Sequence, residues 1–293
     1  MTQPATRAPI VLMLLIGVLW GLNWPVIKFV LSEIPPISIR AIAFPFAALL
    51  LMVIVVAKKL PLRPIAADRL PIAVTGILII FGFNVLTTIG QTLTETSRAA
   101  IIAYTMPAIT ALLASIFLKE KLAARTVLAL FVGTFGIAVL ASENFSDLLA
   151  RPLGAIVMIG AAFSWAAGNV MLKSRRWSLN PLALTVWFFL ASSALAWPLA
   201  LVFEAPWRLE MPSAAVLWAM GYHVLGPMVI CYVLWTSMIE RLPATVAAIS
   251  TLVAPIVGVV SSIAFLDEDF GWRRILALAM IVVSIFLTLR KPK

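Results

Sequence analysis

Trp20 and Trp165 each stand about ten residues into a long apolar run, roughly mid-bilayer at a helical rise of 1.5 Å per residue. Each is followed one helical turn later by an asparagine, Asn23 and Asn169. Residues three or four apart share one face of a helix. An indole with an amide beside it can stack on a small solute and hydrogen-bond its polar group. The same pair can instead join one helix to the next, because an amide turned to lipid stays unpaired. A third apolar run carries Asn84, Thr88 and Gln91 as a narrow polar stripe, and an eighth repeats it with Tyr232 and Thr236. Tyr104 lies midway along a fourth. Trp20, Asn23, Asn84, Thr88, Tyr104, Trp165, Asn169, Tyr232 and Thr236 are therefore the candidate substrate-binding residues. They suit a small, partly apolar, net-neutral solute such as an aromatic or aliphatic amino acid. A polyanion does not fit, because this reading places no Lys or Arg in mid-membrane.

Pro107 and Pro255 each fall halfway along an apolar run. Each removes a backbone hydrogen bond and frees a carbonyl near Ala103 or Thr251. Such carbonyls are tolerated at membrane depth where they line a cavity. The two prolines read either as hinges or as static kinks satisfied by a neighbouring helix. His223, the one histidine, is a functional candidate by its depth. In straight α-helical phase it points away from Tyr232, which favours a hydrogen-bonded structural role unless Gly226-Pro227 resets the phase.

These residues need long apolar helices to position them, and the composition supplies them. Of 293 residues, 63% are hydrophobic and 12% charged, against about half and a quarter in soluble domains. Ten segments are long enough to span a bilayer, near 10–31, 36–57, 70–93, 97–118, 122–141, 153–173, 181–203, 213–240, 243–266 and 270–290. They are continuously apolar rather than alternating, so the expected fold is all-α and not a barrel. The first run is long enough to span, which disfavours a cleavable signal peptide. Cys231 is the single cysteine, no Cys/His cluster has metal spacing, and no nucleotide loop or serine–histidine pair appears. No cofactor, metal or enzymatic activity is expected. The excess of basic residues reads as topology rather than nucleic-acid binding. With the N-terminus in the cytoplasm, fifteen Lys and Arg fall on the cytoplasmic side and seven on the other, so both termini are expected inside.

The second half of the chain repeats the first. Trp20, Lys28 and Pro36 meet Trp165, Lys173 and Pro181 at an offset of 145. Beyond the second run the offset becomes 148, where Val85, Thr88, Pro107, Glu120 and Arg125 meet Val233, Thr236, Pro255, Glu268 and Arg273. Two halves, 1–145 and 146–293, thus hold five helices each, and an odd number inverts the second copy in the membrane. Inversion also explains why Glu120 lies between Lys119 and Lys121 while Glu268 lies between Asp267 and Asp269. The first joint faces the cytoplasm and the second faces out. Both glutamates are expected at tight turns, near the N-terminus of the following helix, where negative charge is favoured.

Five-helix repeats, a proline midway through the fourth helix of each, and the closing phrases FLKE and FLDE resemble the EamA-type branch of the drug/metabolite transporter superfamily. The resemblance covers nearly the whole chain. Within the branch it is most similar to the YddG-type aromatic amino-acid exporters, through its length and through Trp165 and Tyr104. The family usually has glycine before the glutamate, where this chain has Lys119 and Asp267. The resemblance implies ten helices around a central cavity, in a bacterial-type inner membrane, and export of small metabolites. A uniporter working by alternating access is expected, since no acidic residue falls in mid-membrane. A channel is the second reading, disfavoured by the absence of a filter or charged rings. A membrane-embedded enzyme is the third.

Overall fold

Helix boundaries follow local chemistry. Pro36 and Pro181 open their helices at the first turn, where the missing N–H costs nothing. Asn180 and Ser213 cap theirs by accepting from the N–H of Ala183 (3.0 Å) and Val216 (3.3 Å). The computed structural model describes residues 7–119, 124–142, 152–238, 244–269 and 271–289, and among these every regular element is helical. The elements are α1 (Arg7–Val30), α2 (Pro36–Ala57), α3 (Ala66–Gly76), α4 (Phe83–Leu93), α5 (Thr96–Ala103), α6 (Met106–Phe117), α7 (Ala124–Ala141), α8 (Leu153–Lys173), α9 (Pro181–Phe203), α10 (Ala214–His223), α11 (Tyr232–Met238), α12 (Ala244–Leu266) and α13 (Trp272–Leu289). A π-helical stretch, Ile77–Gly82, joins α3 to α4, and a second, Val224–Cys231, joins α10 to α11.

Among the described residues, seven helical stretches are long and apolar enough to cross a membrane: Val11–Val30, Pro36–Ala57, Ala66–Leu93, Thr96–Phe117, Leu153–Lys173, Pro181–Phe203 and Ala214–Ser237. Val127–Leu140 and Val253–Leu266 are shorter apolar stretches. Large apolar side chains face outward along the bundle, among them Phe46, Val53, Phe131, Phe135, Val202 and Trp218. So much exposed apolar surface fits lipid and not water.

Helices approach closely where side chains are absent. A methyl group on Gly76 would lie 2.7 Å from the Cα of Phe188, so α3 rests directly on the backbone of α9. A methyl group on Gly168 would lie 2.9 Å from the amide nitrogen of Ile79, which brings α8 against the first π stretch. α1 packs along α12, α2 along α9, and α7 along α13.

Two local expectations are corrected. The fourth span is not one kinked helix: α5 ends at Ala103, Tyr104 and Thr105 form a break, and Pro107 stands in the first turn of α6. Proline is easily placed in a first turn and badly placed in a helix interior, so the chain restarts the helix there. Pro255, by contrast, lies inside the continuous α12. Glu268 does not serve the helix that follows it. Its two carboxylate oxygens accept from the backbone N–H groups of Thr96 (2.6 Å) and Ser97 (2.8 Å), at the N-terminus of α5. Glu204 does the same for α2, accepting from Ile37 (2.9 Å) and Ser38 (2.6 Å). Glu120 lies outside the described residues.

The residues before Glu120 and Glu268 share one backbone geometry. Lys119 (φ 56°) and Asp267 (φ 51°) are both in the left-handed region, which glycine enters without steric cost. Among the described residues, the other two non-glycine residues of positive φ, Lys59 (51°) and Ala205 (45°), follow α2 and α9.

Candidate functional site: a central aromatic and polar cavity

A closed aromatic cluster forms the floor of a cavity inside the bundle. The ring of Trp20 lies 5.7 Å from Trp165, 5.8 Å from Tyr232 and 5.6 Å from Trp235, centroid to centroid. Phe83 adds an edge at 4.9 Å from Trp165. Edge-to-face and tilted packing at these distances is favourable. Polar atoms lock two of the rings: the indole N–H of Trp20 donates to the Pro227 carbonyl (3.2 Å), and Asn84 Nδ2 donates to the Tyr232 hydroxyl (2.8 Å).

Above this floor Asn23, Trp24, Arg40, Thr87, Gln91 and Tyr104, with Met106 and Met228, complete the lining. The indole N–H of Trp24 donates to the Tyr104 hydroxyl (3.1 Å). Tyr104 can reach it because it stands in the break between α5 and α6. About 60 Å³ of the cavity is open to the centres of water-sized molecules, enough for a few waters and too little for an amino acid. A wider recess of about 580 Å³ lies at the bundle end among Lys28, Thr94, Glu95 and Asp267 to Asp269. Lys28 Nζ donates to the Gln91 carbonyl (2.6 Å), tying a residue of the recess to one of the cavity.

Six of the nine expected residues meet at this cavity: Trp20, Asn23, Asn84, Tyr104, Trp165 and Tyr232. The other three hold the walls. Thr88 accepts from Arg40 Nε (2.8 Å). Asn169 accepts from the Trp235 indole N–H (3.3 Å) and donates to the Trp165 carbonyl (2.9 Å). Thr236 meets Thr185 across two helices (3.0 Å) and bonds the Tyr232 carbonyl (2.8 Å). All three bond to neighbouring helices or their own, which for Asn169 is the alternative that the sequence left open.

Arg40, counted by chain position among the seven basic residues outside, is not on the outer surface. It sits one turn into α2, is 1% exposed, and lines the cavity. Its Nε donates to the Asn84 carbonyl (3.1 Å), and its Nη1 lies 2.7 Å from His223 Nε2. A count by chain position assigned it to the outer surface because it is near a span end. The side chain instead turns inward to α4 and α10. His223 is likewise not turned away: its Nδ1 lies 2.8 Å from Asn23 Oδ1. The π stretch Val224–Cys231 between it and Tyr232 winds more slowly than an α-helix. Straight α-helical phase therefore does not carry across.

Helices long and apolar enough to cross a membrane surround this interior site, the build of a multi-pass membrane protein. The EamA-like transporter family matches residues 7–142 and again 152–290. The chain belongs to that family. It is 24% identical over 291 residues to a probable amino-acid metabolite efflux pump of Escherichia coli (strain K12), covering 94% of this chain and 93% of that one. It is 25% identical to the uncharacterized transporter YvbV of Bacillus subtilis (strain 168), covering 99% and 94%. A solved crystal structure, 19% identical, superposes with a TM-score of 0.71 over 97% of this chain and 96% of that one, which shows a shared fold.

Proposed function

We propose that this transporter exports small neutral amino acids, aromatic or aliphatic, from the cytoplasm across an inner membrane by alternating access. The central cavity carries the reading. Indole, phenol and amide groups from both halves of the chain converge on it, as an amphiphilic neutral solute requires. The E. coli relative, a probable amino-acid metabolite efflux pump, supports it. The cavity is too small for an amino acid, so it must widen to admit one, which suits a carrier better than an open pore.

We also read the chain as ten spans in two inverted repeats, 1–145 and 146–293, with both termini cytoplasmic. The family matches twice. The two π stretches lie at the sequence offset of 148, and so does the positive-φ pair Lys119 and Asp267. Paired local irregularities at one offset are what two copies of one fold would carry. Removing Arg40 from the outer surface leaves the charge bias stronger. The test of function is counterflow: purified protein in liposomes preloaded with unlabelled phenylalanine or leucine, and labelled amino acid outside. Saturable uptake stimulated by the internal amino acid is expected. Non-saturable uptake without stimulation would indicate a channel.

A further inference from the structure

The Arg40 guanidinium is a buried cation whose hydrogen-bond partners among the described residues carry no negative charge. Nε and Nη1 are held by the Asn84 carbonyl, the Thr88 hydroxyl and the His223 ring. Among the described residues no carboxylate pairs with it, and the guanidinium lines the cavity. A buried charge without a counter-ion is costly, and within a membrane bundle such a group marks a solute site.

The neighbours are arranged to leave that charge available. An arginine nitrogen only donates, so His223 Nε2 must accept, and the ring is neutral with its proton on Nδ1. Nδ1 then donates to Asn23 Oδ1. The Asn23 oxygen is engaged, which leaves its NH₂ group for the cavity that Asn23 lines. Gln91 supplies the opposite polarity. It is 2% exposed, lines the same cavity, and its side-chain oxygen is buried without a hydrogen-bond partner. A buried acceptor left unpaired is costly unless a ligand pairs it. The cavity thus offers donors at Arg40 and Asn23, an acceptor at Gln91, and aromatic faces at Trp24 and Tyr104.

We infer that Arg40, positioned by His223, binds the carboxylate of the transported solute while Gln91 accepts from its ammonium group, so that the substrate class is the zwitterionic α-amino acids and not amines. This rests on the carrier reading above. An amide or ester that keeps the ammonium but lacks the carboxylate charge forgoes the Arg40 pair. A decarboxylated amine forgoes it entirely.

The test is competition in the counterflow assay, with labelled phenylalanine and an excess of unlabelled phenylalanine, phenethylamine or hydrocinnamate. For the wild type, phenylalanine should compete, and phenethylamine should compete at least roughly tenfold less well, the effect of losing one charge-assisted pair. Hydrocinnamate, which lacks the ammonium, should also compete less well than phenylalanine. Arg40→Gln should raise the half-saturating phenylalanine concentration by roughly tenfold or more and remove the preference over phenethylamine. Arg40→Lys, which keeps the charge without the planar fork, should recover part of both. Equal competition by phenylalanine and phenethylamine in the wild type would overturn the inference while leaving the carrier reading intact. That comparison does not depend on whether any variant folds. An Arg40→Gln variant that transports and still prefers phenylalanine would overturn it as well. Absence of counterflow with every amino acid would overturn the carrier reading and this inference with it.

Discussion

His223 Nε2 lies 2.7 Å from Arg40 Nη1, so the only histidine of the chain faces a guanidinium at hydrogen-bonding distance. Protonating the ring would remove its acceptor and set two cations against each other. His223 is therefore poorly placed to carry a proton through the transport cycle, and the acidic residues Glu33, Glu204 and Glu268 are occupied at helix ends. Transport in proteoliposomes is expected to follow the amino-acid gradient and to be insensitive to an imposed pH gradient. His223→Ala should weaken substrate affinity by loosening Arg40, with no change in proton dependence. Uphill accumulation driven by protons and lost in His223→Ala would contradict this.

The aromatic floor should separate transport from stability. Trp165 touches Trp20, Phe83, Tyr232 and Trp235. Trp165→Ala leaves a gap in that floor and should sharply reduce flux. Truncating a large buried aromatic also costs about 3–5 kcal/mol in soluble cores. Trp165→Phe keeps most of the volume and should express normally, with flux between wild type and alanine. Normal counterflow by both variants, measured beside thermal stability in detergent, would remove Trp165 from the site.

Gly76 is expected to be intolerant for reasons of packing alone. A methyl group there meets the Cα of Phe188 at 2.7 Å and its carbonyl oxygen at 2.9 Å, and backbone atoms cannot rotate aside. Gly76→Ala should destabilise the protein by about 1–3 kcal/mol. A melting curve unchanged from wild type would show that α3 and α9 are less tightly apposed.

Asp267 tests the left-handed turn. Non-glycine residues held at positive φ cost of the order of 1 kcal/mol or more, and Asp267 has φ 51°. Asp267→Gly should be neutral or stabilising by up to about 1 kcal/mol, since glycine also gives up entropy on folding. Asp267→Val should destabilise, because a β-branched side chain is worst suited to that region. The order Gly, Asp, Val in thermal stability is the expected outcome.

Much of the site was readable because membrane-depth amides and aromatics have few places to go. Trp20, Asn84, Tyr104, Trp165 and Tyr232 converge as expected of polar groups that lipid cannot satisfy. The same logic cannot say which polar group meets a solute and which meets a neighbouring helix, as Thr88, Asn169 and Thr236 do. Trp24 and Gln91 were visible as extensions, one turn beyond Trp20 and one beyond Thr88. Arg40 was hidden because a residue near a span end reads as surface in a linear count. His223 was misphased because a π stretch leaves no plain mark in the sequence beyond Gly226-Pro227. The cross-bundle caps by Glu204 and Glu268 depend on which helices are neighbours, which one sequence does not state.

The central claim is that the cavity between Trp20, Arg40, Gln91 and Tyr104 is where the solute binds. Cys231 is the sole cysteine, so Cys231→Ser gives a background free of thiols. In that background a single cysteine at Thr87, in the cavity lining, and another at the outward-facing Phe46 can be alkylated with a membrane-permeant maleimide. Saturating phenylalanine is expected to slow labelling at Thr87→Cys and leave Phe46→Cys unchanged. Equal labelling rates with and without the amino acid at Thr87→Cys, in a variant that retains counterflow, would contradict the assignment of the cavity as the binding site.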